Sequence, residues 1–270
     1  MVVNAVVLTG MLVVIPLGLG LIDGPGLAVI RRWWLIAAVA GALSLWLPRG
    51  ALAAAIAAPY ALITVALAAQ APRRLAARRS LAPAEVAVLT ALVTPAIAGT
   101  ALVAERFGYR LFGFPLKILA LTVAHFHYAG FAAALIAGLV SHAAGDRRAA
   151  RVAALSVPAG TLIVLVGYFT GDWVELAGAA VLTAGMWLVG WTTWREVRTG
   201  TDRTTGVLLG ASALVLVATM VLALDWALGE AAGAPHLSLT WMAATHGVGN
   251  AFGFALCGML AWRRLRENGL

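Results

Sequence analysis

The sequence predicts an all-α fold: a polytopic transmembrane helical bundle of about nine spans, one helical domain over residues 1–270, with the N-terminus outside and the C-terminus cytoplasmic. Three observations carry that expectation. Of the residues 62% are hydrophobic and 11% charged, with a mean hydropathy of +0.94, whereas a soluble domain is about half apolar and a quarter charged. Apolar runs of spanning length recur along the whole chain, most close to the roughly 20 residues that cross a hydrocarbon core. The arginines gather between those runs, on alternate sides.

The first run, 2–22, has no positive charge in Met1-Val2-Val3-Asn4 and is long enough to stay as a span rather than a cleaved leader. The second, 33–47, is the weakest: it is short and ends at Pro48-Arg49-Gly50, before the third at 51–70. A tight hairpin of two spans or a re-entrant pair fits this stretch, and the charge pattern favours two spans. The remaining runs fall at 84–104, 116–140, 152–170, 174–194, 207–228 and 239–262.

Alternate loops decide the orientation. One set carries Arg31 and Arg32; Arg73, Arg74, Arg78 and Arg79; Arg147, Arg148 and Arg151; Arg195, Arg198 and Arg203; and Arg263, Arg264 and Arg266. The other carries only Arg49, Arg106, Arg110 and Lys117, a split of 15 against 4. Removing one span scrambles this alternation, so the excess of basic residues on cytoplasmic loops supports nine spans. Trp33, Trp34, Trp191, Trp194 and Trp262 fall near inner ends, and Trp46, Trp173, Trp226 and Trp241 near outer ends, as interfacial belts.

The net charge of +8 does not point to nucleic acid, because the basic residues are short loop clusters without an aromatic-interleaved face. The single cysteine, Cys257, lies in an apolar run and reads as a small packed residue. The partner that composition implies is the lipid bilayer.

Ionisable groups inside a membrane are costly and mark function or packing. The fifth run carries Thr122, His125, His127 and Tyr128. His125 lies nine residues below Leu116, roughly 13 Å at the helical rise. The ninth carries Thr240, Thr245, His246 and Asn250, the last two four apart on one face. Asp172 and Glu175 open the seventh run, and Asp225 closes the eighth, followed by Glu230 and His236. His125, His127 and His246 with Asp172, Glu175 and Asp225 are therefore expected in a common pocket in the outer half of the bilayer. On a regular helix residues 125 and 127 are about 200° apart, so both reach one small site only if the backbone is distorted. Which of the two is the reacting one stays open. Gly249 and Gly253 form a small-xxx-small pair suited to close helix packing, and His142 and His236 read as loop-side residues.

The stretches His125-Phe126-His127-Tyr128-Ala129-Gly130-Phe131 and His246-Gly247-x-x-Asn250-Ala251-x-Gly253 resemble the YndJ-like family of bacterial membrane proteins. The resemblance implies a multi-span protein of the bacterial plasma membrane, without a settled biochemical activity, sometimes labelled a transporter.

Three functional expectations follow. One is an intramembrane enzyme in which histidine and carboxylate run acid–base chemistry (isomerisation, cyclisation or hydrolysis) on a lipophilic substrate. A Zn²⁺ on His125 or His127, His246 and one carboxylate is a metal-assisted variant. The second is a proton-coupled carrier using the same residues as a relay, against which the chain shows no inverted repeat. The third and weakest is haem held by His125 or His127 opposite His246.

Overall fold

The computed structural model describes residues 1–24 and 26–269, and among them every regular element is helical. Eight helices are long and apolar enough to cross a membrane: α1 (Val2–Leu21), α2 (Leu27–Ser44), α3 (Ala51–Arg78), α4 (Pro83–Phe107), α5 (Leu116–Ala143), α6 (Arg148–Thr170), α7 (Asp172–Val197) and α8 (Arg203–Ala232). A ninth, α9, is helical from 239 to 267. Thr240, Thr245, His246 and Asn250 dilute its apolarity, which is why it falls short of the other eight. The protein is an all-α, multi-pass membrane protein embedded in the bilayer.

The weak second run is a full helix that begins six residues earlier than its apolar stretch. Arg31 and Arg32, in the second turn, lower the hydropathy of this early part, yet they belong to the helix. The Arg31 guanidinium folds back onto the carbonyls of Leu19 (2.9 Å) and Ile22 at the end of α1. The Leu19 carbonyl otherwise accepts only a long 3.4 Å bond from the Ile22 amide that caps the helix, and a cation there also meets the negative end of the helix dipole, worth about 0.3–1 kcal/mol. Two tryptophans expected at the interface are core residues instead: Trp34 is 1% and Trp262 6% exposed. Trp33, Trp191 and Trp194 remain exposed, each beneath an arginine: Arg32, Arg195 and Arg198.

The chain forms two compact units. The first holds residues 1–80 and 89–132, which is α1 to α3 with most of α4 and the first part of α5. Here α1 and α5 both leave regular α-helix: Gly10–Val14 and Phe126–Ala132 run in π-type turns. The amide of Ile15 reaches back five residues to the Gly10 carbonyl. In that register the next donor is position 16, a proline without an N–H. The Met11 carbonyl thus released accepts the indole N–H of Trp34 at 2.9 Å, fully buried. A single proline sets both the irregular turn and the need for a tryptophan on α2.

The same unit contains an ion-pair cluster not foreseen from the sequence. Glu105 and Arg106, at the end of α4, are 2% and 8% exposed. Glu105 accepts from Arg49 (2.8–2.9 Å) and from Arg106, and Arg106 also reaches the carbonyls of Ser44 and Leu47. The Gly50 amide donates to the Arg106 carbonyl at 2.8 Å. The α2–α3 turn is thereby fastened to α4.

The second unit holds residues 81–88 and 133–270, of which 133–269 are described. Its α6 and α7 form an antiparallel hairpin with glycine at each close approach. A Cβ on Gly160 would sit 2.5 Å from the Leu182 amide nitrogen, and one on Gly167 2.5 Å from that of Glu175. Gly178 faces the Val164 backbone in the same way. Small residues at such an interface let helix backbones approach in lipid, where packing rather than water exclusion drives association. The turn between them is Gly171 alone, at φ 132° and ψ 167°, a conformation that only glycine adopts readily.

Candidate functional site

Two polar clusters contain the residues singled out in the sequence, one in each unit. In the first unit His127 is 0% exposed. Its Nε2 lies 2.7 Å from the hydroxyl of Tyr60, which is also wholly buried. Tyr60 is held edge-on by Trp34, with ring centroids 5.7 Å apart, and backs onto Gly41, where a Cβ would come 2.8 Å from its own Cβ. Proline at position 59, one residue before it, removes an amide from α3.

The other imidazole nitrogen, Nδ1, has no hydrogen-bond partner. It faces Gly10 of the first π-type stretch, where a Cβ would lie 2.6 Å away. Tyr128, the next residue, is buried and donates its hydroxyl to the Val6 carbonyl at 2.7 Å. The π-type stretch begins directly after His125, so the backbone between His125 and His127 departs from regular helix. His125 itself is half-buried and stacks edge-on against Phe126.

In the second unit His246, Asn250 and Thr219 form a closed set. His246 Nδ1 lies 2.7 Å from the Thr219 carbonyl, which can only accept, so this nitrogen carries a proton. The Asn250 side-chain nitrogen lies across the imidazole, 3.2 Å from Nε2 and 3.4 Å from Nδ1, and the Thr219 hydroxyl lies 2.9 Å from the Asn250 side-chain oxygen. Both Thr245–His246 and Asn250 fall in π-type stretches, Ala243–Gly247 and Gly249–Leu256. Gly249 and Gly253 pack on α8, at Thr219 and Val215, as their spacing predicts. π-type turns inside α-helices are rare and recur at functional sites. In this chain they hold His127, Tyr128, His246 and Asn250.

The carboxylates fare differently. Asp172 and Asp225 are exposed, Glu175 is half-buried at the first turn of α7, and neither His127 nor His246 bonds any of them. One histidine that does meet a carboxylate is His236: its Nε2 lies 3.0 Å from Glu230 Oε1, and its Nδ1 2.9 Å from the Leu237 carbonyl. Glu175 lies within electrostatic reach of Asp172 and Glu230. Among the described residues no three His, Cys, Asp or Glu side chains gather as they would around a metal ion.

Tyr60 and Thr219 are the residues that sequence reasoning missed. Each carries a faint signal, being a polar group in mid-span, and Tyr60 follows a proline; neither has its histidine near in sequence.

Residues 5–254 match the family described as YndJ-like protein, and the chain belongs to that family. No curated protein and no solved structure matches it.

Proposed function

We propose that this YndJ-like protein is a membrane-embedded acid–base enzyme of the bacterial plasma membrane acting on a lipophilic molecule, with His127 exchanging the proton and Tyr60 as its partner. The observation that carries the reading is the His127–Tyr60 bond: wholly buried, at 2.7 Å, with the second imidazole nitrogen unsatisfied. An unpaired buried polar atom costs about 1–3 kcal/mol, and native interiors keep few of them without a catalytic, strain or ligand reason. A neutral imidazole takes a proton at one nitrogen while the other shares one with the phenol, the two-sided behaviour general acid–base catalysis needs. Isomerisation, cyclisation or hydrolysis of a lipid-like substrate suits such a group in hydrocarbon. His246, Asn250, His125, Tyr128 and the carboxylates Asp172, Glu175 and Asp225 are candidates for supporting roles.

A second reading, a proton-coupled carrier with the same pair as its relay, is favoured by one feature. Gly10 of one π-type stretch abuts His127 of another, and irregular helix at a polar residue is where carriers bend.

One preparation tests both. Wild type, Tyr60→Phe and His127→Asn are reconstituted into vesicles of bacterial polar lipid with an entrapped pH dye, and the lipids are analysed by mass spectrometry. A converted lipid, lost about 10²-fold or more in both variants, is the expected result. A dye response without conversion selects the carrier. Wild type doing neither overturns the proposal.

A further inference from the structure

We infer that the outer end of the first unit is a docking site for the anionic phosphodiester headgroup of a membrane lipid, held by Arg49, Arg110 and Lys117. The site does not depend on the chemistry proposed for His127.

Outer ends of spans are usually poor in lysine and arginine. The second unit obeys this: its outer corners carry Asp172, Glu175, Asp225 and Glu230, with no basic side chain from 152 to 194 or from 207 to 262. All four basic side chains at outer ends fall in the first unit. Arg49 is in the α2–α3 turn, Arg106 at the end of α4, Arg110 in the loop that follows, and Lys117 in the first turn of α5. Glu105 is the one carboxylate in these segments, 45–52 and 104–118, so three positive charges are left over.

Packing accounts for Arg106, which is spent on Glu105 and on the Ser44 and Leu47 carbonyls. Arg49 is not spent. Its Nε and Nη2 both reach a single oxygen, Glu105 Oε1, at 2.9 and 2.8 Å, while its side chain stays 51% exposed. Nη1, with two N–H groups, is left outside those bonds. Two guanidiniums share one carboxylate, so the cluster keeps a positive charge, and Arg49 is its open side. Arg110 and Lys117 serve the fold even less. Both are exposed, and Lys117 stands in a first turn with no acidic residue and no side-chain cap, where the helix dipole disfavours a cation. An anion from outside the chain relieves both excesses. Arginine offers paired N–H groups to phosphate oxygens and lysine a point charge.

Aromatic side chains set the depth. Trp46 and Tyr109 are exposed, and tryptophan and tyrosine settle at the level of lipid headgroups. Phe112 is exposed as well, and its backbone is left-handed, at φ 53° and ψ 21°, a conformation that a side chain adopts only at a cost. Arg110 stands between Tyr109 and Phe112, so its charge is carried at the same depth. A soluble anion needs the charges alone; the rings single out a lipid.

The test places a photo-crosslinker in the full-length protein, as Phe112→benzoylphenylalanine and, at the acidic end of the second unit, as Trp173→benzoylphenylalanine. The vesicles hold equal parts of phosphatidylglycerol and phosphatidylcholine, and mass spectrometry identifies the captured lipid. At 112 the expected excess of phosphatidylglycerol is about fivefold or more, the preference that one basic side chain gives toward an anionic surface; at 173 no excess is expected. Arg110→Gln with Lys117→Gln, which leaves the Glu105 cluster whole, lowers the ratio at 112 by about threefold or more. Equal capture of the two lipids at 112 overturns the inference, and so does a double variant with the wild-type ratio. The same excess at 173 also overturns it, as a general attraction to a basic chain, and that comparison needs no charge variant to fold. Millimolar inorganic phosphate should leave the ratio unchanged; an excess that it abolishes would assign the site to free phosphate and overturn the lipid.

Discussion

Replacing Gly10 by alanine adds one methyl group where the structure has no room for it. The new Cβ would lie 2.6 Å from His127 Nδ1 and 3.0 Å from its Cβ and Cγ, whereas carbon contacts settle at roughly 3.5–4.0 Å. The imidazole must retreat by about 1 Å to relieve this. Tyr60 cannot follow, being wedged between the Trp34 ring and Gly41. Its 2.7 Å bond to Nε2 is therefore strained or broken. Overpacking a dense core costs about 1–3 kcal/mol and a buried polar group left unpaired about 1–3 more. The better helix propensity of alanine returns up to about 1. The expected net loss is about 1–5 kcal/mol. The assay is thermal unfolding in detergent, followed by circular dichroism, beside the ¹⁵N signals of His127. Gly20→Ala is the control, since nothing lies within 4 Å of a Cβ there. A Gly10→Ala protein as stable as Gly20→Ala, with His127 signals unmoved, would refute the reasoning.

Glu105→Gln keeps the shape and one acceptor oxygen but removes the negative charge facing the buried Arg106; broken buried pairs cost up to about 3–5 kcal/mol, and an unfolding midpoint unchanged by the substitution would show that the cluster is idle. Asp202 lies outside the spans, and its carboxyl is held down to about 2 by the Thr205 hydroxyl, then the Thr205 amide, then Arg264. A depressed value means that its ionised form favours the folded state above the ordinary aspartate range near 4 and that this help is lost as the pH falls through about 2. The stability gap between wild type and Asp202→Ala should thus be constant from pH 8 to 5 and close toward pH 2; a gap that closes between pH 8 and 6 argues for another group. Reporter fusions within 73–79 and at residue 270 should both report the cytoplasm, on the 15 to 4 division of basic residues; external signals would invert the topology.

The helices were legible because lipid enforces a length and an apolarity that residues display directly. The exceptions are instructive. The start of α2 was hidden because Arg31 spends its charge on the carbonyls closing α1, a use that hydropathy cannot anticipate. Trp34 and Trp262 were assigned to an interface by position, but the released Met11 carbonyl draws Trp34 inward. Within the candidate residues, His246 and Asn250 were legible as a pair because four residues make one helical face. His127 with Tyr60 was not, since the two are 67 positions apart and their meeting depends on packing. The π-type turns were invisible too: hydrogen-bond register along a helix answers to prolines and tertiary contacts, and hydrophobic periodicity carries little trace of it.

Gly171 has a consequence for how the chain is made. It is all that separates α6 from α7, and the two helices close on each other at Gly167 and Gly178. A ribosome therefore delivers two spans in quick succession, separated only by the short polar corner from Thr170 to Glu175. The short corner suits entry as one hairpin, so a tag, a cleavage site or an antibody epitope placed there would have to pry apart a packed pair, whereas the non-helical residues 79–82 after α3 give such an insertion room.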